Sequence, residues 1–209
     1  MSGRIRIKIC GITHPDDAEA AVAAGVDLIG LNFVPGSPRC LDLNTAAEIA
    51  DRVAGRVDRV AVFRDAAPEE IERVLRRVEL ERVQFHGSET EEEVEEVDLP
   101  VIKAIRGANV AAAEEYPGTI LLLDHPTEGG GSGTPWSWSD ATELIEMGVD
   151  AILAGGLDPD NVAEALGSLG DLLPWGVDVA TGVESDGCRK DPEKMARFVG
   201  AVREAENFD

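Results

Sequence analysis

Eight short apolar runs, each followed by a longer segment of helical period, fill this chain from one end to the other. The runs are Ile5–Cys10, Leu28–Phe33, Arg59–Phe63, Arg82–His86, Val101–Ile105, Ile120–Asp124, Ala151–Gly155 and Val177–Thr181. Most are nearly continuous rather than alternating, the pattern of parallel strands covered on both faces. The segments between them carry helix punctuation. Asn44 reads as the cap of a helix over Thr45–Ala54 that Gly55 closes; Pro68 opens Glu69–Arg77; Asp158-Pro159 opens Asp160–Leu166, which Gly167 closes. Asn109–Tyr116 leaves room for one or two helical turns, or none. Eight strand–helix units in 209 residues predict an α/β chain folded as one closed (β/α)8 TIM barrel over residues 1–209, with the fifth helix short or missing. The alternative, a doubly wound open sheet, lacks its Gly-x-Gly-x-x-Gly after the first strand. The glycine-rich stretch from Thr127 to Thr134 reads as a loop, not a linker between domains.

Composition limits the partners. With 41 acidic and 19 basic residues the net charge is −22, which opposes sequence-independent binding to nucleic acid or an anionic membrane. Apolar residues, at 44%, are too many for a disordered acidic tail. Neither a run of 18 apolar residues nor a basic-then-apolar leader occurs, so a cytoplasmic protein is expected. Three scattered cysteines, Cys10, Cys40 and Cys188, fit a reducing cytosol better than a disulfide framework. Only four of the 19 basic residues are lysines, and aromatics make up 4%. One reading is an ordinary acidic cytosolic protein. The other is adaptation to concentrated salt, where a Debye length of about 3 Å at 1 M screens self-repulsion.

A barrel of this kind places its chemistry at the C-terminal ends of the strands. Gly155-Gly156 ends the seventh run and Gly182 follows the eighth. Glycines there can close tight turns, but they also let backbone amides approach an anion, and these two loops are the usual phosphate site of the fold. Cys10 and Asp124 close the first and sixth runs on different sides of the mouth, a candidate base and acid. Cys is ordinarily a small buried hydrophobe and a lone Asp is often a loop cap, so position leaves both readings open. As a base, Cys10 needs its pKa lowered from about 8.5; as an acid, Asp124 needs its pKa raised from about 3.9. Arg39, in the loop Pro35-Gly36-Ser37-Pro38-Arg39, suits a substrate carboxylate, though loop arginines are commonly just solvated. His86 could carry a proton or simply bond a neighbouring strand end. His14 fits the turn before the first helix, and His125 flanks Asp124. No zinc-type spacing occurs, so no metal site is expected.

At these same residues the chain resembles the phosphoribosylanthranilate isomerases of tryptophan biosynthesis. The likeness runs through Lys8-Ile9-Cys10-Gly11-Ile12-Thr13, Ser37-Pro38-Arg39, Val83-Gln84-Phe85-His86-Gly87, Leu122-Leu123-Asp124, Gly131-Ser132-Gly133 with Trp138, Leu153-Ala154-Gly155-Gly156-Leu157 with Asn161-Val162, Val177-Asp178-Val179 with Gly182-Val183-Glu184, and Gly187 with Lys190-Asp191. It departs at Phe85, where the family often has Leu, and at Ala180-Thr181, where the family has a Ser pair. The resemblance implies an Amadori rearrangement of N-(5-phosphoribosyl)anthranilate. Asp124 would be the acid, Cys10 the base and Arg39 the carboxylate anchor. Amides of the Gly155-Gly156 and Gly182-Val183 loops would hold the phosphate, and the glycine-rich loop after Asp124 would act as a lid. No cofactor is implied, since the electrons move within the substrate. The expected partner is a small phosphorylated substrate, with the chain a monomer or homodimer. Another phosphosugar barrel (an epimerase or synthase) and a non-catalytic phosphometabolite-binding barrel are the alternatives.

Overall fold

The computed structural model describes residues 4–127 and 134–206. Eight parallel strands close into a barrel in sequence order: β1 (Arg6–Cys10), β2 (Leu28–Asn32), β3 (Asp58–Phe63), β4 (Arg82–Phe85), β5 (Val101–Arg106), β6 (Ile120–Asp124), β7 (Ala151–Leu153) and β8 (Gly176–Val179). Pairing of Arg6 with Gly176 through Ile9 with Val179 seals the ring. The helices are α1 (Pro15–Ala24), α2 (Leu43–Arg52), α3 (Pro68–Arg77), α4 (Glu91–Glu95), α5 (Val110–Glu114), α6 (Thr142–Glu146), α7 (Val162–Gly167) and α8 (Pro192–Ala205). The fifth helix is present and short, with Asn109 capping it at the amide of Ala112. It is not unusual in this: α4 and α6 are also five residues long.

Two helix starts differ from the sequence expectation, for one physical reason. An aspartate two or three residues upstream takes the amides first. Asp42, not Asn44, caps α2, accepting from the amides of Asn44 and Thr45. Asp158 accepts from the amides of Asp160 and Asn161 in a turn, and α7 begins only at Val162. Gly155 and Gly156 therefore stand in a loop rather than at a helix start, and any helix dipole is displaced from them.

Strand periodicity sorts the side chains. Ile7, Ile9, Ile29, Leu31, Val83, Phe85, Leu121, Leu123, Val177 and Val179 belong to the large apolar layer between sheet and helices. Leu28, Val60, Ile102, Leu122 and Ile152 form a separate small cluster inside the ring. Because successive side chains alternate, the positions between the outward ones point inward: Lys8, Cys10, Gln84, Asp124 and Asp178. The upper barrel interior is thus polar where its lower part is aliphatic.

Candidate active site

A cavity of about 390 Å³ opens at the C-terminal ends of the strands, lined among others by Cys10, Arg39, Asp124, Gly155, Gly156 and Gly182. The structure brings six of the seven expected site residues into this one cavity. Val183 is the exception. Its side chain is buried in the apolar layer, so only its backbone is available to a ligand. The proposed lid, residues 128–133, lies outside the described residues. Just beyond it, the indoles of Trp136 and Trp138 both donate to the Ala154 carbonyl, at 2.8 and 3.1 Å, and pin the chain to the end of β7.

The glycines after β7 are required twice over. Gly155 and Gly156 adopt φ of +75° and +77°, and a β-carbon on Gly156 would collide with the Thr134 carbonyl. After β8 the chain makes a single tight turn, Thr181–Val183. A β-carbon on Gly182 would strike Leu157 and Asp158, so the loops after β7 and β8 pack directly on each other.

Asp124 is buried and its Oδ2 lies 3.1 Å from His86 Nε2; His86 Nδ1 in turn lies 3.0 Å from Gln84 Nε2. His86 therefore bonds the candidate acid itself. Burial works to raise the pKa of Asp124, but the His86 hydrogen bond and charge outweigh it and hold the carboxyl below its ordinary value. Cys10 moves the other way. Burial pushes its thiol up, against the Lys8 ammonium and, more weakly, Lys190. Both shifts run opposite to those an acid Asp124 and a base Cys10 need during turnover.

Arg39 is not a free cation. Its Nε and Nη2 grip Glu184 at 2.7 and 2.8 Å, and Nη2 also donates to Thr181 Oγ1 at 3.1 Å. Glu184 is shared with Lys190, whose buried Nζ lies 2.7 Å away. Arg39 packs over Gly11, where φ is +74° and a β-carbon would run into Arg39 Cδ. Arg39, the turn after β8 and the residue following Cys10 are thus one contact unit. The Thr181 hydroxyl accepts from Arg39.

A family model described as N-(5'phosphoribosyl)anthranilate (PRA) isomerase matches residues 7–201. The chain belongs to the N-(5'-phosphoribosyl)anthranilate isomerase family. An N-(5'-phosphoribosyl)anthranilate isomerase from Myxococcus xanthus is 44% identical over 207 residues, covering 95% of this chain and 96% of the relative. The crystal structure of phosphoribosyl anthranilate isomerase from Thermus thermophilus superposes with a TM-score of 0.86 at 36% identity, covering 96% and 99% of the two chains. A phosphoribosyl anthranilate isomerase in complex with reduced 1-(o-carboxyphenylamino)-1-deoxyribulose 5-phosphate superposes with a TM-score of 0.85 at 32% identity, with the same coverage.

Membership of this isomerase family makes the chain an enzyme of tryptophan biosynthesis on a TIM barrel. Sequence reasoning gave no role to Lys8, Asp178, Glu184 or Lys190, although each stands in a motif of the family likeness, and it did not name Asp124 as the partner of His86. Period-two counting from Cys10 and from Val177 would have found the first pair, since Lys8 and Asp178 occupy inward positions in otherwise aliphatic strands.

Proposed function

We propose that this chain converts N-(5'-phosphoribosyl)anthranilate into 1-(2-carboxyphenylamino)-1-deoxyribulose 5-phosphate by an Amadori rearrangement, with Asp124 as general acid and Cys10 as general base. The observation that carries this assignment is the placement of the two groups, from β1 and β6, in one mouth cavity between an arginine and a glycine-lined double loop. Asp124 protonates the ring oxygen; the C1–O bond breaks and the nitrogen lone pair forms the Schiff base. The Cys10 thiolate removes the C2 proton, and the C–H electrons flow to the iminium nitrogen to give an enolamine, which tautomerises to the ketone. No external oxidant or reductant enters, and the atoms balance within the substrate.

His86 is the hydrogen-bond partner through which the candidate acid is reloaded. The imidazole and Asp124 share a hydrogen bond, so a proton held by the pair can pass to the ring oxygen through Asp124. Arg39 anchors the anthranilate carboxylate through the part of its guanidinium not held by Glu184. Amides around Gly155, Gly156, Gly182 and Val183 take the phosphate. All of these groups come from one chain folded as a single barrel domain over 1–209, so a monomer suffices and a homodimer would hold two complete sites. The partner is a small phosphorylated molecule in the cytoplasm, in an organism with concentrated internal salt. The test is growth of a tryptophan auxotroph lacking this isomerase. Wild-type chain restores growth and Cys10→Ser does not; failure of the wild type, or equal rescue by the variant, contradicts the proposal.

A further inference from the structure

Lys8 and Cys10 stand two positions apart on β1, both pointing into the barrel. Lys8 is 1% exposed, and its Nζ lies 2.8 Å from Asp178 Oδ1 on β8. The sulfur and the ammonium meet at one glycine. A β-carbon on Gly30 of β2 would stand 2.8 Å from Cys10 Sγ and 3.2 Å from Lys8 Nζ, so the two atoms are at most about 6 Å apart. Gly30 is thus the residue whose missing side chain makes room for both. A buried ion pair is seldom a net gain in stability over apolar packing, because desolvating two charges offsets their attraction. The inward positions at this level of the ring would otherwise suit aliphatic side chains such as Leu122 and Ile152.

Taking Cys10 as the base, on which this inference rests, we propose that Lys8 is a positioning residue for the isomerisation, its ammonium stabilising the Cys10 thiolate while Asp178 holds Lys8 in place. The thiol loses its proton to solvent, the thiolate accepts the C2 proton of the substrate, and the ammonium stays protonated throughout. The other charges that face the sulfur are Asp178 from β8, Lys190 from the segment before α8, Arg39 from the loop after β2 and Asp124 across the cavity. Of these, Asp178 opposes thiolate formation while Lys8 and Lys190 favour it, Lys8 more strongly. Burial works against the Lys8 ammonium, but Asp178 and Cys10 outweigh it and hold its pKa above the ordinary value.

The test is the pH dependence of Cys10 alkylation by iodoacetamide, read by mass at the Cys10 peptide, alongside steady-state turnover. Lys8→Met is expected to move the Cys10 midpoint up by about one pH unit or more, which is about tenfold less thiolate at fixed pH. The kcat should fall by a similar factor with KM little changed. A lysine that only supports the fold would leave the midpoint where it is. Should Lys8→Met fail to fold with Asp178 left unpaired, Lys8→Met/Asp178→Leu removes the buried pair as a unit. It should still raise the midpoint, by less, because the opposing carboxylate goes too. An unmoved or lowered midpoint in the folded variant, or an unchanged kcat, overturns the proposal. Full activity of Cys10→Ser would instead strike at the base assignment itself, while leaving the Lys8 effect on the thiol measurable.

Discussion

At the scale of single residues, the site is governed by who holds each charge. The places of Cys10 and Asp124 in the mouth were readable from their strand ends, and that of Arg39 from the loop after β2, because the fold dictates where chemistry can stand. Their partners were not, because Glu184, Lys190 and His86 reach them across the mouth from distant parts of the chain. Glu184 shows the consequence. Burial works to raise its pKa, but Arg39 and Lys190 outweigh that and hold the carboxyl below its ordinary value. Its folded pKa therefore lies below its unfolded one. The stabilisation is fully present above the unfolded value of about 4.3 and is lost as pH falls through the lowered folded value. Denaturant unfolding from neutral pH into acid should show a shallower loss of stability for Glu184→Gln than for wild type. Equal slopes would mean that the Arg39–Glu184–Lys190 cluster contributes nothing linked to protons.

At the scale of elements, strands were more legible than helices. Each expected strand is found within two residues of its predicted ends, since a run such as Leu121-Leu122-Leu123 has to be covered on both faces to escape water. Helix starts shifted wherever a nearby carboxylate competed for the first amides, as at Asp42 and Asp158. The shift at α7 matters most, because it leaves loop amides rather than a helix start beside Gly155 and Gly156. Loop contacts were invisible to local patterns altogether. Gly11 is the case in point: its sequence neighbours say nothing of Arg39, whose aliphatic stem covers it. Gly11→Ala should strain a backbone at φ of +74° and push Arg39 aside, raising KM on the order of tenfold, the scale of about 1.4 kcal/mol of lost anchoring. A variant with wild-type KM would separate Gly11 from the carboxylate anchor.

At the scale of the whole molecule, a chain of charge −22 has to bind a doubly anionic substrate. Attraction must come from the mouth itself, where Arg39, Arg64 and loop glycines line the cavity. The acidic surface then belongs to solvent and salt rather than to catalysis. Stability should rise from dilute buffer to molar KCl as screening relieves self-repulsion; stability that is flat or falls with salt would contradict the salt-adapted reading. On the proposed mechanism, catalysis is decided inside the ring, by an acid on one side and a base on the other. The most direct measurement of that division is the steady-state rate of phosphoribosylanthranilate consumption, followed by loss of its fluorescence, for Cys10→Ser and Asp124→Asn. Each should lower kcat by about 100-fold or more, the usual scale for a general acid or base. A variant whose defect is confined to KM would contradict the role assigned to that residue.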